Sequence, residues 1–117
     1  MQILERTIGD LTILDLKGRL VAGDGDDVLR ETVDRLVKRG RRRVLLNLGE
    51  VSYIDSCGLG VLVSKYVSLR NRSGQLKLYN LRPRSFRVLD VTRLLTVFET
   101  FDSEADGIRS FDETSAV

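Results

Sequence analysis

A hydroxyl beside a carboxylate, with two glycines just after it, stands near the middle of this chain, in Tyr53-Ile54-Asp55-Ser56-Cys57-Gly58-Leu59-Gly60. Serine in such a setting can cap a helix, act as a nucleophile, or accept a phosphoryl group. A nucleophile needs a base within reach. The chain contains no histidine, and no lysine lies close to Ser56 in sequence. Ser56 is therefore read as a substrate hydroxyl, with the base supplied by another enzyme. A phosphate there adds about −1.5 to −2 charges. The start of a helix favours an anion by roughly 0.3–1 kcal/mol, and the neighbouring Asp55 repels it. With these effects opposed, the fold is expected to survive phosphorylation, and the charge acts on whatever is laid over Ser56.

The other residues of the run have simple uses as well. Asp55 is expected to cap the helix or to orient the Ser56 hydroxyl. Cys57 is read as a small buried residue, because a catalytic thiol needs a histidine. Gly58 and Gly60 each cost a helix roughly 1 kcal/mol relative to alanine. They are read as leaving room for the close approach of another molecule. Asp55, Ser56, Cys57, Gly58, Leu59 and Gly60 together form the expected partner-binding segment.

Composition removes several function classes. With no histidine and one cysteine among 117 residues, the usual zinc ligands and any internal disulfide are missing. No glycine-rich stretch carries Gly-Lys-Ser or Gly-Lys-Thr, and Gly23-Asp24-Gly25-Asp26-Asp27 lacks the spacing of a calcium loop. No cofactor, no metal and no enzymatic activity are expected. The net charge is +2, and the basic run Lys38-Arg39-Gly40-Arg41-Arg42-Arg43 reads as a helix end and turn, so no nucleic-acid partner is expected. No apolar run approaches the ~20 residues that span a bilayer, and the first residues lack a signal-peptide pattern. The expectation is a cytoplasmic protein with no membrane insertion.

The elements that must position Ser56 follow from periodicity. Ile3–Ile8 and Leu11–Leu16 read as a hairpin turning at Gly9-Asp10. Gly18 to Asp27 reads as a loop whose aspartates complement the next helix, which carries Val28, Leu29, Val33, Leu36 and Val37 and stops at Gly40. Val44–Leu48 is a buried central strand. A second helix runs from about Ser56 to Arg72, with Leu59, Leu62, Val63, Tyr66 and Leu69 on its apolar face and Lys65 and Arg72 on its surface. Leu76–Tyr79 is a strand, Pro83–Val91 a helix facing the core with Phe86 and Leu89, and Leu95–Phe101 a last strand. Ser103–Phe111 is a terminal helix capped by Ser103. Such alternation implies one α/β domain over residues 1–112, a mixed, largely parallel sheet of four to five strands packed by about four helices, with a frayed tail at 113–117.

The run Leu46-Asn47-Leu48-Gly49-Glu50-Val51-Ser52-Tyr53-Ile54-Asp55-Ser56-Cys57-Gly58-Leu59-Gly60-Val61-Leu62-Val63 resembles the signature of STAS domains, above all the stand-alone bacterial anti-sigma-factor antagonists. Leu16-Lys17-Gly18-Arg19-Leu20 and Leu94-Leu95-Thr96-Val97-Phe98 extend the likeness over nearly the whole chain. The resemblance implies a partner switch. An unmodified antagonist binds an anti-sigma factor that is also a serine kinase, and sigma factor is released. The kinase phosphorylates the serine after the aspartate, here Ser56, and binding ends. A PP2C-type phosphatase restores the first state. Two positions depart from the family pattern. Gly18 is followed by Arg19-Leu20-Val21 where members often carry Glu-Leu-Asp, and Cys57 stands where serine or threonine is frequent. The alternative is a STAS scaffold subunit of a larger signalling or transport assembly that keeps the motif without switching.

Overall fold

The computed structural model describes the backbone of residues 1–115 and the side chains of residues 1–112. Of the tail expected at 113–117, residues 113–115 continue the last helix instead of fraying, and 116–117 lie outside the described residues. Strands β1 (Gln2–Ile8) and β2 (Leu11–Leu20) form the hairpin, and Gly9 supplies the positive φ of the turn (60°). Helix α1 (Asp26–Lys38), strand β3 (Arg43–Ile54), helix α2 (Ser56–Arg70), strand β4 (Gln75–Tyr79), helix α3 (Pro83–Val91), a 3₁₀ turn (Leu94–Thr96), strand β5 (Thr100–Phe101) and helix α4 (Glu104–Ser115) follow. The sheet order is β1-β2-β3-β4-β5, with β1–β2 antiparallel and the other pairs parallel.

The sheet has an uneven coat of helices. On one face Leu14, Leu16, Leu46, Leu48, Val51, Leu76 and Leu78 meet Leu29, Val33 and Leu36 of α1, Leu62 and Leu69 of α2 and Leu89 of α3. On the other face Leu11, Ile13, Leu45 and Tyr79 meet Phe111 of α4. Alternation along β3 sends Val44, Leu46 and Leu48 to the thick side and Leu45 to the thin side.

The thin side is completed by a polar network. The Arg6 guanidinium donates to both carboxylate oxygens of Asp15, at 2.7 and 3.0 Å, and also to Glu104. The Tyr79 hydroxyl donates to Glu104 at 2.7 Å, and Asn47 donates to Asp15 at 2.9 Å. Strands β1 to β4 are thereby tied to α4. The Arg6 guanidinium holds the carboxyls of Asp15 and Glu104 below their usual range, while burial, and then Glu104, pushes the Tyr79 phenol up. A carboxylate with a depressed folded pKa contributes stability above its unfolded pKa and loses it as pH falls through the folded value. Acid is therefore expected to weaken the network below the usual carboxylate range, with Glu104→Gln showing a shallower dependence in urea melts at stepped pH. Tyr79→Phe is expected to cost about 1 kcal/mol in the same melts at neutral pH.

Several expectations are corrected. The segment Leu95–Phe101 is not one strand. Leu94, Leu95 and Phe98 pack inward at helical rather than alternating spacing, Phe98 meets Tyr66 edge-on at 5.2 Å, and only Thr100–Phe101 pairs with β4. Phe86 is 47% exposed, and Ser85 joins Leu89 on the buried face of α3, four residues apart on one side of a helix entered through Pro83. Lys65 is 9% exposed, because α1 packs beside α2 and its Asp34 accepts from the Lys65 ammonium at 2.6 Å. In the basic run Arg41 is spent internally. It donates to the Thr12 hydroxyl and to the carbonyls of Gly9 and Leu11, which fastens the hairpin to the entry of β3.

Strands β2 and β3 are longer than the apolar runs suggest. Gly18–Leu20, expected in a loop, pairs with Val51–Ile54, across irregularities in register on either side of Lys17 and Gly18. Strand β4 leaves the sheet at the Asn47–Tyr79 pair. The far half of β3 therefore runs on beside β2 alone and delivers Tyr53, Ile54 and Asp55 to an open edge.

Candidate functional site

At that edge Asp55 ends the strand and starts the helix. Its backbone is extended (φ −98°, ψ −176°), as an N-cap requires. One carboxylate oxygen accepts from Gly58 N–H at 2.8 Å, within the first turn of α2. The other accepts from Ala22 N–H at 3.0 Å, and the Asp55 N–H donates to the Leu20 carbonyl at 3.2 Å. Asp55 thus binds the β2–α1 connection to the start of α2. These backbone donors, Ala22 first, hold its carboxyl below the ordinary range. Both oxygens accept from the backbone, and among the described residues the Ser56 hydroxyl makes no bond to either. Asp55→Ala is expected to lower the melting temperature while Asp55→Asn, still a good cap, recovers part of the loss. The Asp55 contribution fades as pH falls through its depressed pKa.

Ser56 is the first residue of α2 and is exposed. Among the described residues its hydroxyl has no hydrogen-bond partner. It neither caps the helix nor meets a base. Cys57, expected to be buried, is exposed next to it, because the first turn presents both side chains outward.

The two glycines differ in cause. Gly58 is buried, and a Cβ there would lie 2.1 Å from the Leu20 carbonyl oxygen and 2.9 Å from its carbon. Close packing of α2 on the end of β2 excludes any side chain. That is an internal reason, and it corrects the reading of Gly58 as room for another molecule. Gly60 is exposed, and a Cβ there would meet nothing within 4 Å. Of the pair, only Gly60 leaves a bare patch facing outward. Leu59 is half-buried against the main core. The exposed part of the expected partner segment is therefore Ser56, Cys57 and Gly60, with Asp55 and Gly58 fixing its shape from beneath. Ser64 and Val67, at helical spacing beyond Gly60, extend the exposed face, and the sequence reading did not single them out.

The aspartates before α1 complement its start, with Asp26 and Asp27 in the first turn, but none caps it, since Gly25 holds the cap position without a side-chain bond. Asp26 accepts from the N–H groups of Gly23 and Asp27, both at 2.8 Å. Asp24 accepts from the Met1 ammonium at 3.0 Å, which holds its carboxyl below the ordinary range. Among the described residues no three His, Cys, Asp or Glu side chains gather as metal ligands would, and no helix is long and apolar enough to cross a membrane.

Comparison with known proteins now adds a family. The STAS domain model matches residues 2–107. The chain belongs to the STAS domain family. The anti-sigma-B factor antagonist of Listeria monocytogenes is 43% identical over 61 residues, 52% of this chain and 54% of the relative. This STAS chain thus spans about half the length of that relative. The anti-sigma-B factor antagonist of Bacillus subtilis is 34% identical over 93 residues, covering 76% of this chain and 84% of the relative. Among solved structures, the Bacillus cell fate determinant SpoIIAA in its phosphorylated form matches with a TM-score of 0.75 at 17% identity, over 94% of this chain and 99% of that one. The last likeness speaks to the fold, and it agrees with the five-stranded sheet and four helices described above.

Proposed function

We propose that this STAS domain is an anti-sigma-factor antagonist that works by partner switching at Ser56. Unphosphorylated, it binds an anti-sigma factor that is also a serine kinase, and sigma factor goes free. Phosphorylated at Ser56, it lets go of the kinase. A PP2C-type phosphatase returns it to the first state. The observation that carries this reading is the Ser56 hydroxyl: exposed, unpartnered among the described residues and placed at the first position of a helix whose start is locked by Asp55 and Gly58. The named relatives support it, since both are called antagonists of an anti-sigma factor.

The geometry suits a switch that changes a surface rather than a fold. The helix start is fixed before any modification, because the Asp55 carboxylate accepts from Ala22 and Gly58 and the Asp55 N–H donates to the Leu20 carbonyl. A phosphate would enter solvent-exposed space and change the charge by about −1.5 to −2. The chain itself supplies no base beside Ser56, so the proton and the phosphoryl donor are handled by the kinase and its bound nucleotide. Reconstitution tests this. Added to a complex of the kinase and its sigma factor, the unmodified chain is expected to displace sigma factor in gel filtration, and the Ser56-phosphorylated chain to leave it bound. A complex that forms equally with both forms would favour the scaffold reading.

A further inference from the structure

Beside Ser56 the open edge carries a second cluster that the switch itself does not use. Tyr53 is 45% exposed on the overhanging end of β3. The Arg84 guanidinium, from the first turn of α3, lies 5.9 Å from the centre of its ring. Arg19 stands opposite Tyr53 in the β2–β3 ladder, and its side chain is 64% exposed. Arg87 shares with Arg84 and Pro83 a shallow hollow of about 240 Å³. Among the described residues neither Arg84 nor Arg87 has a carboxylate partner, and Arg19 reaches only Asp24, at 3.5 Å.

Of the nearby acids, Asp24 pairs with Arg19 only at 3.5 Å, and Asp55 pairs with none of the three arginines. Asp24 is held more closely by the Met1 ammonium, at 3.0 Å, and both oxygens of Asp55 accept from backbone. The edge therefore offers an exposed aromatic ring flanked by arginines that keep most of their donors unused. Tyrosine and arginine are the residue types enriched at the energetic centres of protein interfaces. Tyr53 and Arg19 join the cluster to the start of α2. Tyr53 is three residues before Ser56, and the bonds from Asp55 to Leu20 and Ala22 hold the Arg19 segment at the start of α2. A stable protein interface covers about 800 Å² on each partner, far more than one helical turn, so a protein seated on Ser56 extends over its neighbours.

We propose that Tyr53, Arg19, Arg84 and Arg87 form a contact surface for an acidic face of the kinase that acts on Ser56. The surface rests on the reading of Ser56 as that kinase's substrate. It sets which kinase is accepted: carboxylates opposite Arg19 and Arg84 are attracted, and a basic face is repelled. The side chains are exposed, so their replacement leaves the fold intact, which circular dichroism checks.

The test uses the full chain, ATP and the kinase from the source genome that places phosphate on Ser56 of the wild type. Arg19→Glu/Arg84→Glu is expected to lower kcat/KM for Ser56 phosphorylation about tenfold or more, mostly through KM, and to flatten its dependence on salt. Arg39→Glu is a control with the same charge change per residue, beyond the C-terminal end of α1, and is expected to leave kcat/KM near the wild-type value. Equal rates for wild type and the double variant would overturn the surface and leave the Ser56 reading standing. An equal loss in Arg39→Glu would also overturn it, by assigning the effect to net charge. If no kinase modified the wild type, the surface and the reading would fall together.

Discussion

Ser56→Asp is expected to weaken binding to the partner kinase about a hundredfold, which corresponds to about 2.7 kcal/mol. Ser56→Ala is expected to bind like the unmodified wild type and to resist the switch. The contrast follows from position. The Ser56 hydroxyl makes no bond within the described chain, so its removal costs the fold nothing and leaves the surface uncharged. A carboxylate at the same place sits next to Asp55, whose own charge is fixed by two backbone donors and cannot move away. Two adjacent negative charges under a docked protein lose their water, and burial of an uncompensated charge costs several kcal/mol. Thermal melts of both variants are expected to lie close to the wild type, because the helix start favours an anion as Asp55 opposes it. Isothermal titration of the kinase with the three proteins measures the contrast. Equal affinities would separate Ser56 from binding.

Gly58→Ala is expected to damage the fold, with a loss of about 2 kcal/mol or more. The methyl group would lie 2.1 Å from the Leu20 carbonyl oxygen. That oxygen cannot withdraw freely, since it accepts from the Asp55 N–H at 3.2 Å. Overpacking of this kind costs roughly 1–3 kcal/mol, and the backbone as neighbour places it at the upper end. Helix propensity returns about 1 kcal/mol in the other direction, which is too little to reverse the sign. Gly60→Ala separates the two glycines. Its methyl would enter open space, so stability is expected to rise by up to about 1 kcal/mol, while binding to the kinase falls as the bare patch is filled. Urea melts and titrations of the pair would report opposite patterns, stability in one and binding in the other. A stable Gly58→Ala protein would refute the close packing of α2 on β2.

Much of this arrangement was legible in the residues because it depends on local chemistry. The hairpin at Gly9-Asp10, the start of α2 at Ser56 and the entry of α3 at Pro83 follow from turn, cap and proline preferences, and the structure places them there. Where the reading failed, tertiary pairing or packing had decided. Gly18–Leu20 looked like loop and became strand because the end of β3 lies beside it. Leu95–Phe101 looked like strand, yet Phe98 turns inward onto Tyr66 and breaks the alternation. The internal role of Gly58 depends on a carbonyl 38 positions earlier, which no local pattern encodes. Arg84 on Tyr53 is likewise a contact between elements, visible only once α3 and the overhang of β3 are in place.

Intact-mass spectrometry tests the central claim most directly. The full chain is incubated with ATP and each serine kinase of the anti-sigma type encoded in the source genome, and the modified site is mapped. A single added phosphate on Ser56, absent in Ser56→Ala, is the result this account predicts. A phosphate on any other residue, or none with any of these kinases, would contradict it.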